Sequence, residues 1–254
     1  MPITIKRATT NEEFDQVFQL RHQVLVGDGY FRRRDDARVF DRFDAFPTSC
    51  LIYAEVEGQL VGTVRATIDS GIGTSVDEYF DFHSYGDPLR DRIAAGSHFY
   101  IAPAFRGAWR ISALLMEMFH FWCVRQGCRY VKGVMNPRTV SLMQRLGYRP
   151  LGDARVSDKD QLPFVPVLLD TAQMSESLQT YVERQPQWQA TETFHRWYGE
   201  ADDRLPLAPQ TLYLIQGQVT APPRQLFSPG DFIPPQTALH ACSSVELAQT
   251  VLMS

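Results

Sequence analysis

Hydrophobic and polar residues alternate at the start of the chain and then recur at helical spacing. Ile3, Ile5 and Ala8 alternate with polar positions, which predicts a first strand. Residues 10–13 read Thr-Asn-Glu-Glu, a helix-start signature in which a hydroxyl or amide caps unpaired N–H groups. Apolar residues follow at helical spacing until Gly-Asp-Gly at 27–29 ends the helix. The chain therefore opens with a strand and a helix.

Two strand-like runs come next. Residues 50–56 and 60–69 flank the short turn 57–59, which predicts a hairpin. Before them, residues 30–49 are dense in charged and aromatic side chains without a clean period, and are either a lid or a solvated loop. After them, residues 70–91 form a second variable stretch with several glycines.

The most regular part of the pattern runs from residue 97 to residue 148. It predicts a strand, a turn containing arginine and glycine, a long apolar helix, a second strand and a short helix, at 97–102, 103–110, 111–126, 129–135 and 136–148. Gly127 ends the long helix, and Asn136-Pro137 opens the short one. A later strand at 163–170 contains proline and is therefore expected near a sheet edge.

The composition of the chain changes near residue 170. We expect one large domain at 1–171, a helical linker at 172–209 and a small β-rich appendage at 210–254. The appendage resembles half of a cyclic-nucleotide-binding β-roll, with a Gly-Asp turn between strands. It lacks the arginine and glutamate that bind phosphate and ribose in that family, so a degenerate regulatory or dimerising module is expected, and a homodimer is a candidate assembly.

Composition and charge exclude several classes of protein. The net charge is −4, so there is no overall basic field that would favour nucleic acid. The four cysteines show no metal-ligand spacing and are expected to be reduced, mostly buried thiols. The sequence has no signal peptide pattern and no apolar run of membrane-spanning length. We therefore expect a cytoplasmic protein without a membrane span or a bound metal.

The strand-turn-helix at 97–126 is suited to binding phosphate, because the first N–H groups of a helix are unpaired and lie at the positive end of its dipole. Its order and spacing resemble the core of the GNAT acyltransferase superfamily, whose turn reads Arg/Gln-x-x-Gly-x-Gly/Ala. The resemblance implies an α+β fold, an α/β/α sandwich with a mixed, mostly antiparallel twisted sheet flanked by helices. It places the acyl donor on Tyr100, Ile101, Ala102, Arg106, Gly107, Ala108 and Arg110.

The turn departs from the superfamily pattern. Arg106 fills its first position, but Trp109 and Ile111 stand where small residues are usual, and Gly107 is out of register. We expect these two large side chains to obstruct a pyrophosphate, while Arg106 and Arg110 bind a single phosphate. The donor is then an acyl group on the phosphopantetheine of an acyl carrier protein, with acyl-coenzyme A as the other candidate cosubstrate and no permanently bound cofactor.

A second, narrower resemblance lies in the N-terminal half. Arg21, an aromatic pair at 30–31, Asp41-Arg-Phe-Asp44 and Arg65 follow an order similar to that of the long-chain N-acyl amino acid synthases and the acyl-homoserine-lactone synthases. The lactone synthases usually have a glutamate upstream of the acidic pair and a tryptophan after the first helix. Their absence here favours the amino acid synthase branch. The resemblance implies transfer of an acyl, expected fatty acyl, group to the amine of an amino acid or similar small acceptor.

The chemistry assigns roles to these residues. The acceptor amine must lose a proton, so Asp41 and Asp44 are candidate bases. Arg21 and Arg65 either pair with these carboxylates or hold the carboxylate of the acceptor. A backbone N–H near 100–102 would stabilise the tetrahedral oxyanion. The expected acceptor and acyl pocket comprises Phe31, Trp109 and Asn136. The alternative for the four charged residues is a structural salt-bridge network.

Other features have structural interpretations. Arg32-Arg33-Arg34 is either a solvated patch or a docking surface for an acidic carrier protein. His98, His120 and Tyr148 are expected to be packed side chains and not catalytic groups. Two further functions remain open: an ordinary acetyl-coenzyme A-dependent acetyltransferase, and a GNAT-like module that has lost catalysis and acts as a sensor.

Overall fold

The computed structural model describes residues 3–46, 48–71, 73–87 and 91–183. The strands are β1 Ile3–Arg7, β2 Ser49–Val56, β3 Gln59–Ile68, β4 Ile93–Ile101, β5 Tyr130–Met135, β6 Arg149–Pro150, β7 Arg155–Val156 and β8 Pro163–Asp170. The helices are α1 Asn11–Gly27, α2 Trp109–Arg125, α3 Val140–Arg145 and α4 Glu176–Glu183. The rest of the predicted linker and the whole predicted β-roll appendage lie outside the described residues.

The strands form one sheet in the order β1-β2-β3-β4-β5-β8-β6, with β7 also paired to β8. Every neighbouring pair is antiparallel except β4 and β5, which run parallel. The predicted α+β fold with a mixed, mostly antiparallel sheet is therefore confirmed. Sequence signals at the first helix are confirmed too, since Thr10 and Glu13 form a capping box at its start.

Two strand predictions need correction. The strand predicted to begin at residue 97 begins at Ile93, inside a weakly β-forming Ala-Ala-Gly run. The strand 163–170 does not lie at a sheet edge, because β8 pairs with β5 on one side and with β6 and β7 on the other. Pro166 is tolerated because it lies in the gap between the short β6 and β7 ladders, where its carbonyl accepts a hydrogen bond from the Leu151 N–H at 2.9 Å.

The sheet is covered on both faces. Helix α2 packs on one face and closes the larger core, in which Ile111, Leu115 and Trp122 are at most 2 % exposed. Helix α1 packs against β3, β4 and β2 through a second, aromatic-rich cluster that includes Phe14 and Phe18. This three-layer arrangement lets each face of the sheet bury its own apolar side chains.

The sheet opens between β4 and β5. In the described structure these two strands pair over three residues only, Ile93–Ala95 with Tyr130–Lys132, although both strands continue further. Beyond that point the backbone groups of the two strands that face each other lack a neighbouring strand. The gap lies beside the C-terminal part of β4, and it is where the cavity described below is found.

The buried His120 makes the stability of the fold sensitive to acid. Burial lowers the pKa of His120 from its ordinary value of 6.5 to about 4, although its contact with the Met116 carbonyl opposes the shift. The unfolded chain then binds more protons than the folded chain between these values. We expect the free energy of unfolding to fall as the pH drops from 6.5 towards 4, by up to roughly 1.4 kcal/mol per pH unit for such a histidine.

Urea unfolding measured at several pH values across this window checks the expectation. His120→Gln should make the dependence shallower, whereas His83→Ala, at an exposed position, should leave the slope unchanged. An unfolding free energy that stays level between pH 6.5 and pH 4.5 would contradict the assignment.

Candidate active site

A cluster of charged side chains is buried under the gap. Arg21 donates from Nη1 to both carboxylate oxygens of Asp44, at 3.0 and 2.9 Å. Arg65 donates to the two oxygens of Asp41, at 2.5 and 3.0 Å, and its Nη1 also lies 3.0 Å from Asp44 Oδ1. The side chains of Arg21, Arg65 and Asp44 are 0 % exposed. The structure therefore brings together the four charged residues that the sequence predicted as a set.

Local sequence explains how the acidic pair is presented. Asp41 caps a short 3₁₀ turn, Arg42–Ala45, because its Oδ1 accepts the N–H of Phe43 at 2.8 Å. Asp44 completes the capping box by accepting the N–H of Asp41 at 2.9 Å. The two carboxylates thus cap their own turn and also contact the arginines.

The electrostatics of Asp41 are those of a buried ion pair. Burial by itself raises the pKa of Asp41, but the Arg65 guanidinium and the hydrogen bond with His98 outweigh it and hold the pKa well below the usual range. Asp44 is fully buried and both its oxygens contact arginine. The geometry favours a structural salt-bridge network for both carboxylates. A direct catalytic role for either of them stays a prediction.

Arg21 retains unused donor capacity. Its Nε and Nη2 have no hydrogen-bond partner among the described residues, although both are buried. Its guanidinium carbon lies 5.3 Å from the centre of the Phe18 ring, a cation–π contact that offsets part of the desolvation. Arg21 and Arg65 do not line the cavity, so this geometry does not present either guanidinium to an acceptor carboxylate.

The cluster also contains a set of potential metal ligands. Asp41, Asp44 and His98 place ligand atoms within 4.8 Å of one another. The two carboxylates already neutralise Arg21 and Arg65, so a divalent ion would have to displace a buried guanidinium. The donor set therefore fits an ion-pair network better than a metal centre.

A cavity of about 480 Å³ occupies the space at the gap between β4 and β5. Of the predicted site residues, Asp41, Tyr100 and Asn136 line it. Phe31 does not: it is 2 % exposed and packs with Leu25 and Val39. Tyr30, from the aromatic pair of the resemblance, lines it too, but most of the wall comes from residues that the sequence did not single out, including Val76, Tyr79, Ser97, Val134 and Phe164. The polar Asp41 and the apolar side chains share one cavity.

His98 also lines the cavity, and a β-bulge puts it there. Two steps along β3, from Thr63 to Arg65, correspond to three steps along β4, from Tyr100 to Ser97. His98 lies within this bulge with φ 52°, a left-handed conformation that re-aims its side chain. Its Nε2 is 3.0 Å from Asp41 Oδ2. The sequence predicted that His98 would be a packed side chain. The bulge that places it at the cavity has no reliable signal in the sequence, so this position could not be predicted.

The predicted donor turn is present, but Arg106 forms an ion pair that the sequence did not predict. Helix α2 begins at Trp109 without a side-chain cap, and Gly107 and Arg110 are exposed. Arg106, however, forms a two-point ion pair with Asp28, at 2.6 and 2.7 Å. This pair links the donor turn to the end of α1. The Arg106 guanidinium already pairs with a carboxylate, so phosphate binding is not its only role.

The expected obstruction by Ile111 is wrong. Its side chain is 1 % exposed in the core between α2 and the sheet, because the first helical turn rotates it inward. The side chain of Trp109, predicted both to obstruct the turn and to line the pocket, lies outside what the structure describes. The side chain of Ile111 therefore gives no reason to exclude coenzyme A as the donor.

The backbone at the end of β4 offers one N–H group to the gap. The Ala102 N–H already donates to the Val61 carbonyl at 2.8 Å, so it is not available to an oxyanion. Antiparallel pairs alternate between bonded and non-bonded residues, and Ile101 lies opposite Gly62 in the non-bonded position. The Ile101 N–H therefore points away from β3, towards the gap.

The other residues considered in the sequence lie away from the charged cluster or at the surface. His120 and Tyr148 are packed as expected, with His120 Nε2 2.8 Å from the Tyr148 hydroxyl. Arg32 and Arg33 are exposed, and Arg34 pairs with Asp36. Carrier docking at this patch, a homodimer and a cytoplasmic location stay predictions. Among the described residues, no helix has the length and apolar character needed to cross a membrane.

A mixed sheet that opens between two parallel strands, next to an uncapped helix and a cavity, is the arrangement expected from the resemblance to the GNAT acyltransferases. The chain belongs to the family of the N-acyl amino acid synthase FeeM, whose model matches residues 16–170. No curated protein sequence matches the chain significantly. The family membership makes this protein an enzyme, an N-acyltransferase that transfers an acyl group to an amine.

Solved structures share the fold. The structure of FeeM, from uncultured soil microbes, is 16 % identical with a TM-score of 0.57, covering 70 % of this chain and 98 % of that one. BjaI, a coenzyme A-dependent acyl-homoserine lactone synthase solved with SAM and isopentyl-CoA, is 21 % identical with a TM-score of 0.54 over 71 % and 89 %. TofI, solved with an inhibitor and MTA, is 15 % identical with a TM-score of 0.54 over 72 % and 97 %.

Removing one member of the buried cluster should destabilise the fold strongly. Asp44→Ala leaves Arg21 without its carboxylate in a fully buried site, and we expect a loss of roughly 3–5 kcal/mol in the free energy of unfolding. Asp36→Ala, which removes the partially exposed Arg34 pair, is the matched control and should cost less than about 1 kcal/mol. Denaturant unfolding measures both. Equal losses in the two variants would contradict this interpretation of the cluster.

Proposed function

We propose that this enzyme transfers a fatty acyl chain from a phosphopantetheine thioester to the amine of an amino acid. The observation that supports the proposal most directly is the cavity at the opening between β4 and β5. Its wall combines apolar side chains such as Val76, Val134 and Phe164 with a polar side formed by Asp41 and His98. Such a space suits an extended hydrocarbon chain beside a reacting polar group.

The geometry of the backbone supports the same reaction. The acyl carbonyl of a thioester lying along β4 would come within reach of the Ile101 N–H, which points towards the gap. A fixed backbone N–H stabilises negative charge that develops on the carbonyl oxygen in the transition state. The Ile101 carbonyl, which belongs to the next peptide unit, accepts a hydrogen bond from Arg106 Nε at 3.3 Å, and this bond restrains the same residue.

The donor phosphate is assigned to the start of α2. This helix has 17 residues and an uncapped N-terminus, and Arg110 is exposed in its first turn. Both features attract an anion. Acyl carrier protein and coenzyme A present the same phosphopantetheine chemistry, and the buried side chain of Ile111 removes one reason to exclude coenzyme A.

An acetyltransferase is the second candidate. Acetyl is the smallest acyl group of this class and would leave most of a cavity of about 480 Å³ unfilled. Apolar surface that a bound ligand leaves uncovered contributes nothing to affinity. The size and lining of the cavity therefore favour a longer chain.

The assay uses the purified protein with acetyl, octanoyl, dodecanoyl and hexadecanoyl thioesters, each on coenzyme A and on acyl carrier protein, with a mixture of amino acids. Mass spectrometry identifies N-acyl products, and thiol release gives the rate. We expect amide formation with long-chain donors that exceeds formation with acetyl by roughly tenfold or more. Turnover of acetyl-coenzyme A alone would contradict the proposal, and comparing the two carriers identifies the donor.

Narrowing the cavity should change the preferred chain length. Val134→Trp adds a large ring to the cavity wall on β5, and we expect turnover of hexadecanoyl donors to fall roughly tenfold more than turnover of octanoyl donors. Val156→Trp, at a position that is 61 % exposed on β7, is the matched control. A uniform loss across all chain lengths would argue that the acyl chain lies elsewhere.

A further inference from the structure

We propose that His98 is the general base that accepts the proton of the attacking amine, and that Asp41 is a positioning residue for it. This assignment rests on the proposed function, because it concerns the same cavity. It reverses the sequence-based expectation, in which Asp41 and Asp44 were the candidate bases and His98 was a packed side chain.

Access to the cavity favours His98 over Asp44. His98 lines the cavity and 10 % of its side chain is exposed, whereas Asp44 is 0 % exposed and absent from the wall. The bulge in β4 places His98 three positions before Ile101, whose N–H points into the same gap. A base and an oxyanion donor on one strand segment can therefore act on the same tetrahedral centre.

The hydrogen bonds of Asp41 determine the tautomer of the His98 imidazole. Arg65 donates two hydrogen bonds to Asp41, and the Phe43 N–H donates a third, so this carboxylate is ionised and only accepts. The 3.0 Å contact between His98 Nε2 and Asp41 Oδ2 then requires the proton on Nε2. Nδ1 is left as the nitrogen that carries the lone pair, which is the form that a base needs.

The charges around His98 keep its imidazole neutral. Burial lowers the pKa of His98 to about 4, and the cations Arg21 and Arg65 reinforce the shift, while Asp41 opposes it. Tyr100, whose ring centre lies 5.9 Å from that of His98, has its own pKa raised to about 12 by burial and is also neutral. The basic form of His98 is therefore present at physiological pH, and Asp41 stabilises the imidazolium that forms during the reaction.

Acyl transfer from the thioester to the amine needs one proton transfer to His98 and one back. The amine lone pair attacks the thioester carbonyl carbon, the C–N bond forms, and the carbonyl electron pair moves to oxygen at the Ile101 N–H. The proton on nitrogen passes to His98 Nδ1. The oxyanion then collapses and the C–S bond breaks, and the imidazolium returns the proton to the thiolate. The products are an amide and a free thiol, with no other reactant required.

Kinetics of His98 variants test the assignment. His98→Gln keeps an amide donor for Asp41 but has no basic nitrogen, and we expect kcat to fall on the order of 10²–10⁴-fold with little change in the donor KM. His98→Ala should lose as much and recover part of its activity with added imidazole, which a structural role would not produce. His83→Ala is the exposed control and should match the wild type. A His98→Gln enzyme within about threefold of the wild type would overturn the proposal.

A second measurement does not depend on turnover. The nitrogen-15 chemical shifts of the His98 ring, assigned by comparison with the His98→Gln protein, report which nitrogen carries the proton. A protonated Nε2 at neutral pH supports the assignment, and a protonated Nδ1 overturns it even if the enzyme is active. If the wild type makes no amide from any donor, the proposed function fails, and the ring shifts show separately whether the predicted tautomer exists.

Discussion

The buried pairing of two arginines with two aspartates is the interaction on which the rest of this structure depends. Arg21 comes from α1, Arg65 from β3, and Asp41 and Asp44 from one short turn, so the cluster ties three distant segments together. Taking any one partner away would leave a charge in a site with no water to solvate it. The long irregular segment after α1 therefore has one position, which places Asp41 against His98 on β4.

The opening between β4 and β5 lies beside that framework, since Asp41 and His98 both line its cavity. A sheet normally pairs its backbone groups along its whole length, and here the pairing ends after three residues. The groups left without a strand, the Ile101 N–H among them, face the cavity. The Arg106–Asp28 ion pair links the turn before α2 to the end of α1.

Much of this could be read from local sequence, because local signals act over a few residues. The helix start at Thr10 and the hairpin at 57–59 follow from short-range chemistry and were predicted correctly. The order of Arg21, the acidic pair and Arg65 indicated the site before any geometry was known. By contrast, the interior position of β8 depends on which strands lie beside it, and a proline in its sequence pointed to the edge.

The sequence by itself determined the class of enzyme, since the order of strands, helices and charged residues carries the family resemblance. The tertiary structure alone decided which groups face the cavity. A one-residue bulge in β4 places His98 at the cavity, although the sequence predicted a packed side chain. The rotation of α2 places Ile111 in the core, although the sequence predicted that it would obstruct the donor turn. Side-chain direction depends on register and rotation, which long-range packing fixes and which a linear pattern of residue types leaves open.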